Sequence, residues 1–518
     1  MKYKKRKFDS VCLVMNLKSD QVAIAKEDIA SGSILIHEGR TVKIKKDIKK
    51  GHRLAMKEIP KGEYVRQYGH PFGCSKGIQS GEPITIANIK NVLPRQNLKD
   101  FKKPAQTRYQ KDLVKKAFAG YVRKNGAVGT RNYYLIVPTS MCASETALQV
   151  ALTLQADKRI SKKHSSFDGI VAIPHTEGCG CDSGLSIERL LRVLKTYIAH
   201  PNVGGCLIMD LGCEQTNYEK VHPYLKKLVS QKIKPIDWVS IEESGGITAA
   251  RKKAETLIRK RLPQVIRQKR QACSLGKLIV GTECGASDTF SGITANPLIG
   301  YAVDQIIYAK GSAILSEIPE MVGTFDMLWP RFRSLKAARK FQKIMSWYVT
   351  LAKKLGTTLE ANLVPKNVEV GLINNYIKSL GAVIKGGTTV IEDVLEYAEP
   401  LTKRGLHIMQ GPGNDLESVT GIVASGANLV CFSTGQGTPT GSAICPVIKI
   451  ASTNSIFKKL SKDIDFNAGQ LLQTKPNLET LGCELLSLMI KVASGQKTCS
   501  EKLGQRQFQI WTAGKLPL

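Results

Sequence analysis

The feature that most constrains this chain is a recurring phrase. A short apolar run ends in a glycine-rich polar turn and restarts as a helix. Its fullest form is GTECGASDTFSGITANP, residues 281–297, which crowds Glu283, Cys284, Asp288, Ser291, Thr294 and Asn296 among glycines. Residues 277–280 before it read as a buried strand, and 298–308 after it carry apolar residues at helical spacing. Similar runs at 133–137, 169–173, 205–209, 236–239, 405–409 and 427–432 are each followed by a turn or a helical pattern. Repeated strand–helix units of this kind predict α/β architecture with mostly parallel sheets, and ligand sites at the carboxyl ends of the strands.

The first ninety residues have a different texture. Short β-prone pieces at 21–25, 34–36 and 84–87 are separated by Ser31-Gly32, Lys50-Gly51, Lys61-Gly62 and Ser80-Gly81. Frequent turn signals without a helical period predict a small β domain over residues 1–95. The phrase at 48–56 is echoed at 78–86, and His52 directly follows the turn glycine of the first, where it can face a site. A basic stretch broken by Pro104, residues 96–119, reads as a linker with a short helix near 111–118. Two α/β units follow, at 120–274 and 275–518.

Charge and cysteine content narrow the function. The net charge of +33 comes from dispersed lysines, without zinc-finger spacing or an aromatic nucleic-acid motif, so nucleic acid is not the expected partner. A positive field instead suits a small anionic substrate. No eighteen-residue apolar run is present, and the short apolar piece at 11–15 does not make a signal peptide, so a cytoplasmic protein without a membrane span is expected. Thirteen cysteines in a chain of 518 residues do not read as a disulfide framework.

Three loops carry the chemistry: His175-x3-Cys179, Gly212-Cys213-Glu214 and Glu283-Cys284-Gly285. In each, a cysteine follows a strand and a carboxylate or histidine lies close by. If the strands end on one crevice, Cys179, Cys213 and Cys284 are candidate ligands of iron, as a cluster with an open position or as a mononuclear ion, or of another divalent cation. An open Lewis-acid position would help a hydroxyl leave as water. His175, Glu317, Glu214 and Asp288 are the candidate acid–base groups, with Asp415 a further loop carboxylate. The candidate substrate-binding residues are Arg131, Asn132, His52, Ser291, Thr294, Asn296, Thr434 and Gln436, and Arg131 suits a two-pronged carboxylate contact. Neither the dinucleotide fingerprint nor the P-loop is present.

These loops, taken in order, resemble the altronate/galactarate dehydratase family. The likeness rests on Gly129-Thr-Arg-Asn132, His175-x3-Cys-Gly180, Leu211-Gly-Cys-Glu214, Glu283-Cys-Gly-x-Ser-Asp288, residues 290–297 and Leu315-Ser-Glu-x-Pro-Glu320. It continues through Lys385-Gly-Gly-Thr388, Glu396-Tyr-Ala-Glu-Pro400, residues 433–437 and Asp465-x-Asn-Ala-Gly469. The N-terminal unit looks like the SAF-type β-clip domain of that family, His52 matching its Gly-His-Lys/Arg element. The resemblance implies an iron-dependent hydro-lyase, a homo-oligomer such as a dimer, converting a hexonate or hexarate to a 2-keto-3-deoxy acid. A related sulfo-lyase activity on a sulfolactate-like acid, and a non-catalytic basic binding protein, are the alternatives. The family's Ser-Pro-Gly-Asn loop reads Val364-Pro-Lys-Asn367 here, and Asp326 stands where the family has histidine.

Overall fold

The computed structural model describes residues 5–37, 40–94, 101–161, 166–180, 184–473 and 476–512. Residues 96–100 of the expected linker, and Cys181-Asp182 of the His175 loop, lie outside these.

The N-terminal unit is built of strands two to six residues long, as its turn-rich sequence dictates. Antiparallel pairs such as Tyr64–Gln67 with His70–Ser75 are tied together by isolated bridges, Ile29 to Ile48 and Ile59 to Ile78. The echoed phrases fold as equivalent turns. His52 N–H bonds to the Lys49 carbonyl at 3.0 Å, as Glu82 N–H does to that of Gln79 at 3.1 Å. Gly81 occupies positive φ, and a Cβ there would meet the Lys43 carbonyl oxygen at 2.0 Å, so only glycine fits. The core of this unit is not closed by its own residues. Val22, Ala55, Val65, Phe72 and Ile84 pack with Leu372, Ile373, Ile377 and Leu380 of the C-terminal unit. Burying each such aliphatic side chain is worth roughly 1.5–3 kcal/mol as an upper estimate, which holds the two units together.

Within the region read as a linker, a helix covers Lys111–Lys115 and gives way to a strand, Ala117–Val122. That strand pairs antiparallel with Gln271–Ser274, so it belongs to the folded body.

Two parallel sheets follow. In the first, β1 (Tyr133–Pro138), β2 (Gly169–Ala172), β3 (Val203–Asp210) and β4 (Ile236–Ser240) lie in the order β2-β1-β3-β4. β1 and β3 are buried at every position, which explains their unbroken apolar runs. In the second, β5 (Ile279–Gly285), β6 (Ser312–Leu315), β7 (Ile391–Leu395), β8 (Gly405–Met409), β9 (Leu429–Thr434), β10 (Val447–Ala451) and β11 (Phe466–Asn467) form seven strands ordered β7-β8-β6-β5-β9-β10-β11. Every pairing in both sheets is parallel. The α/β class with a small β unit in front is therefore borne out. One continuous core runs from Leu135 and Tyr197 of the first sheet unit to Ile422 and Val430 of the second.

The strand order fixes where a site can form. From β5 the chain moves to β6 on one side, and later returns to β9 on the other. The carboxyl end of β5 is thus a topological switch point, where adjacent connections diverge and leave a crevice. Cys284 is the second-last residue of that strand.

Candidate active site

At the end of β5 the sequence places two polar residues where a sheet interior demands apolar ones. Glu283 and Cys284 are both buried. The Cys284 thiol lies 3.6 and 3.8 Å from the two Glu317 carboxylate oxygens and 3.8 Å from Glu320 Oε2. Lys385 Nζ donates to Cys284 Sγ at 2.7 Å and to Glu317 Oε2 at 2.6 Å. Lys378 Nζ pairs with Glu320 at 2.9 Å. The groups arrive from several elements: Glu317 and Glu320 follow β6, Lys385 follows the helix Asn375–Val383, and Asp415 opens the helix Asp415–Ala424.

The backbone is bent to make this cluster. Glu317 is a fully buried non-glycine residue in the left-handed region, φ 68° and ψ 49°. Such a conformation costs on the order of 1–3 kcal/mol and persists where surrounding contacts over-determine it, most often at functional sites. Here those contacts include Cys284 and Lys385. Gly285 opens the space on the other side: a Cβ there would stand 2.3 Å from Asp415 Oδ2. Asn367 Nδ2 donates to the Ser287 carbonyl at 2.8 Å and buttresses the loop after β5. The asparagine of the altered Val364-Pro-Lys-Asn367 loop thus retains a structural task.

Burial sets the protonation of the cluster. Burial and then the neighbouring Glu317 push the Cys284 thiol well above its usual value, against the pull of Lys385. Burial also raises Glu283, with Glu317 adding to the effect. Asp415 is pushed up to about 7, first by burial and then by Glu317 and Glu320. Lys385 stays cationic, because Cys284 and the surrounding carboxylates outweigh its desolvation.

The cluster offers more thiol and carboxylate donor atoms than its two lysines engage, and this donor set fits a bound cation. Among the described residues, Cys284, Glu317 and Glu320 are the set whose ligand atoms all lie within 4.8 Å of one another. Glu283 Oε2 accepts a hydrogen bond from Ser418 at 2.6 Å, while the buried Oε1 has no partner. A thiol with carboxylate oxygens suits a divalent transition ion.

Among the described residues, Cys179, Cys213 and Cys284 do not form a set with ligand atoms within 4.8 Å of one another. Cys179 and Cys213 follow β2 and β3 of the first sheet, whereas Cys284 ends β5 of the second. Cys142 interacts with both Cys179 and Cys213. Sequence spacing carried no information about which sheet each strand joins.

Several other candidates make contacts within the fold. Arg131 is fully buried, and its guanidinium meets Glu501 through Nε at 2.6 Å and Nη2 at 2.8 Å. Its remaining donors reach the carbonyls of Thr130, Val492 and Gln496. All five N–H groups are thereby used, and none is left for a substrate. Asn132 binds the Ser166 and Val265 carbonyls. His175 Nε2 faces the Pro138 carbonyl at 2.9 Å and Nδ1 accepts from Glu177 N–H, contacts that pin the loop. Glu214 accepts from the hydroxyls of Thr139 and Ser140 and from the backbone of Leu211 and Gly212. Burial raises its pKa, but those backbone donors outweigh it and hold the carboxyl below its ordinary range.

Around the cluster, Asp288 and Ser291 form a reciprocal cap on the helix Thr289–Ile293. Thr294 Oγ1 donates to the Phe290 and Ser452 carbonyls. Asn296 links the Gly381 carbonyl to the Ser433 hydroxyl. Thr434 Oγ1 accepts from Gly437 N–H within its turn, Gln436 is half-buried, and half-buried His52 sits 3.1 Å from the Glu369 carbonyl. Asp288, Ser291 and Asn296 still line the cleft beside Cys284, together with Ser287, Lys378 and, from the N-terminal unit, Arg53 and Tyr68. Sequence reasoning missed Lys385, Glu320, Lys378 and Arg53 as site residues. The signal for the first two was present, since both sit in glycine- or proline-punctuated loops after apolar runs.

A turn-rich β unit packed over the switch point of a seven-stranded parallel sheet, around a buried thiol–carboxylate–lysine cluster, defines a multidomain α/β enzyme. Family models match along most of the length: the altronate/galactarate dehydratase SAF domain at 12–92, the D-galactarate dehydratase/altronate hydrolase second domain at 120–266, and the D-galactarate/altronate dehydratase C-terminal domain at 275–516. The chain belongs to the altronate/galactarate dehydratase family. It is 33% identical over 502 residues to an altronate dehydratase of Bacillus subtilis (strain 168), covering 96% of this chain and 98% of that one. To an altronate dehydratase of Escherichia coli (strain K12) it is 31% identical, with 96% and 98% covered. To a galactarate dehydratase (L-threo-forming) of the same organism it is 28% identical, with 88% of each chain covered.

Proposed function

We propose that this protein is a sugar-acid hydro-lyase that removes water across C2 and C3 of an altronate-type hexonate, giving a 2-keto-3-deoxy acid. The observation that carries the reading is the buried Cys284–Glu317–Glu320 set with Lys385 at the β5 switch point. The altronate dehydratases, similar over nearly the whole chain, support the substrate class.

Cys284, Glu317 and Glu320 would hold a ferrous ion, which when bound supplies Lewis acidity toward the departing hydroxyl. The protein's own groups do the rest. Asp415, with its carboxyl raised to about 7, is poised to take the C2 proton near neutral pH. The electrons of that C–H bond form the C2–C3 double bond as the C3 hydroxyl leaves with a proton as water. The resulting enol takes a proton at C3 and becomes the ketone. Lys385, the cation nearest the thiol and Glu317, offsets negative charge that builds there. The β-clip unit contributes Arg53 and Tyr68 to the wall of the cleft.

The test is anaerobic incubation of the purified chain with ferrous iron and D-altronate or galactarate, scored for 2-keto acid. Formation of 2-keto acid from altronate is expected. No product from any hexonate or hexarate would overturn the reading.

A further inference from the structure

The cations around the cluster are not equivalent. Lys385 is matched to Glu317 and Lys378 to Glu320. Arg53 is different. It enters from the β-clip unit on the strand Arg53–Ala55 and is 2% exposed. Its Nε donates to Gln67 Oε1 at 2.6 Å, and its Nη1 to the Gly371 carbonyl and, at 3.4 Å, to Thr289 Oγ1. These acceptors are neutral. Among the described residues no carboxylate pairs with Arg53.

A buried guanidinium without a counter-ion is costly, and proteins pair such charges almost without exception. The cost is visible in the Arg53 pKa, which burial lowers to about 10. The nearby acid cannot supply the missing charge. Asp288 lines the same cleft, but its Oδ1 receives Ser291 N–H and hydroxyl, and its Oδ2 receives the Ser452 hydroxyl. The cleft between Arg53 and Cys284 is lined by Ser287, Asp288 and Lys378 and is narrow, with a free volume of about 10 Å³, room for about one water.

We propose that Arg53 binds the carboxylate of the substrate, making the β-clip unit a functional part of the active site. This rests on the sugar-acid reading above. The substrate carboxylate supplies the counter-ion that the fold omits, and sits between the β-clip wall and the β5 end. Guanidinium donors at that carboxylate also stabilise the enediolate that forms when the C2 proton leaves. The docked position of the unit is held by Tyr68, whose hydroxyl donates to the Gly292 carbonyl at 3.0 Å. Binding of an acid is therefore coupled to this docking, and a chain lacking the β-clip would lose its carboxylate recognition.

The experiment compares the full-length protein with Arg53→Gln and Arg53→Lys, using D-altronate as substrate and altronamide, its neutral amide, as competitive inhibitor. Loss of one charge-assisted contact predicts KM for altronate higher by roughly 10–100-fold in Arg53→Gln. The amide inhibition constant should stay within about twofold, and Arg53→Lys should recover part of the KM. An unchanged KM, or equal weakening of acid and amide, would overturn the assignment, the second outcome marking a merely structural arginine. Should Arg53→Gln melt early, Arg53→Lys is read alone: KM must rise for the acid and not for the amide. Failure of the sugar-acid reading looks different, since wild type itself would then form no 2-keto acid.

Discussion

Lys385 Nζ lies 2.7 Å from Cys284 Sγ and 2.6 Å from Glu317 Oε2, placing an ammonium against two groups that are also proposed to hold a metal. Lysine and metal thus compete electrostatically for the same donors. In Lys385→Met the metal-free protein keeps its buried acids without their cation, and should melt earlier than wild type. Because a ligand stabilises the state it binds, ferrous iron should raise the melting temperature more in the variant than in wild type. Thermal melts with and without iron read both effects.

Asp415 sets a pH limb. A general base works deprotonated, and this carboxyl is raised to about 7. Below its pKa kcat/KM should fall about tenfold per pH unit and above it level off; a cation on Glu317 and Glu320 draws that pKa below its metal-free value. Asp415→Asn should lower the rate by ~10²–10⁴-fold and abolish the limb. The same shift has the opposite sign for stability. The folded state binds this proton more tightly than the unfolded chain, so the contribution is present at low pH and lost as pH rises through about 7.

Gly285→Ala probes the same base by geometry alone. The added Cβ would stand 2.3 Å from Asp415 Oδ2, and the carboxylate must move. The expected outcome is a kcat loss of at least ~10-fold with iron content unchanged, since a displacement on the order of 1 Å can cost ~10²-fold.

Arg131 should report on stability and not on substrate. Glu501 is held down to about 2: burial raises it, but Arg131 and its hydrogen bonds outweigh that. Stability from this pair is present above the ordinary value of 4.5 and is lost as pH falls from there toward about 2. Glu501→Gln strands a buried guanidinium, so it should cost ~3–5 kcal/mol in denaturant unfolding and flatten that acid limb. KM of the folded fraction should stay within about twofold.

These residues also show what the sequence could and could not reveal. Glu283 and Cys284 were legible because a strand interior tolerates them only with a task. The parallel α/β plan was legible in the unbroken apolar runs of β1 and β3. Arg131 was not, because an arginine in a polar loop reads alike whether it faces a ligand or a glutamate 370 residues away. Arg53 was hidden inside a three-residue strand, and its lack of a counter-ion exists only in three dimensions. Cys179 and Cys213 were grouped with Cys284 because each follows a strand, and only sheet order separates them.

The metal is proposed to belong to the end of β5. Iron binding by anaerobically reconstituted wild type, Cys284→Ser and the double variant Cys179→Ser/Cys213→Ser tests it directly. Cys284→Ser should weaken binding by at least the ~10–100-fold that even outer partners of a metal are worth, and turnover should fall with it. The double variant should bind iron as wild type does. Iron lost from the double variant and retained by Cys284→Ser would contradict the account.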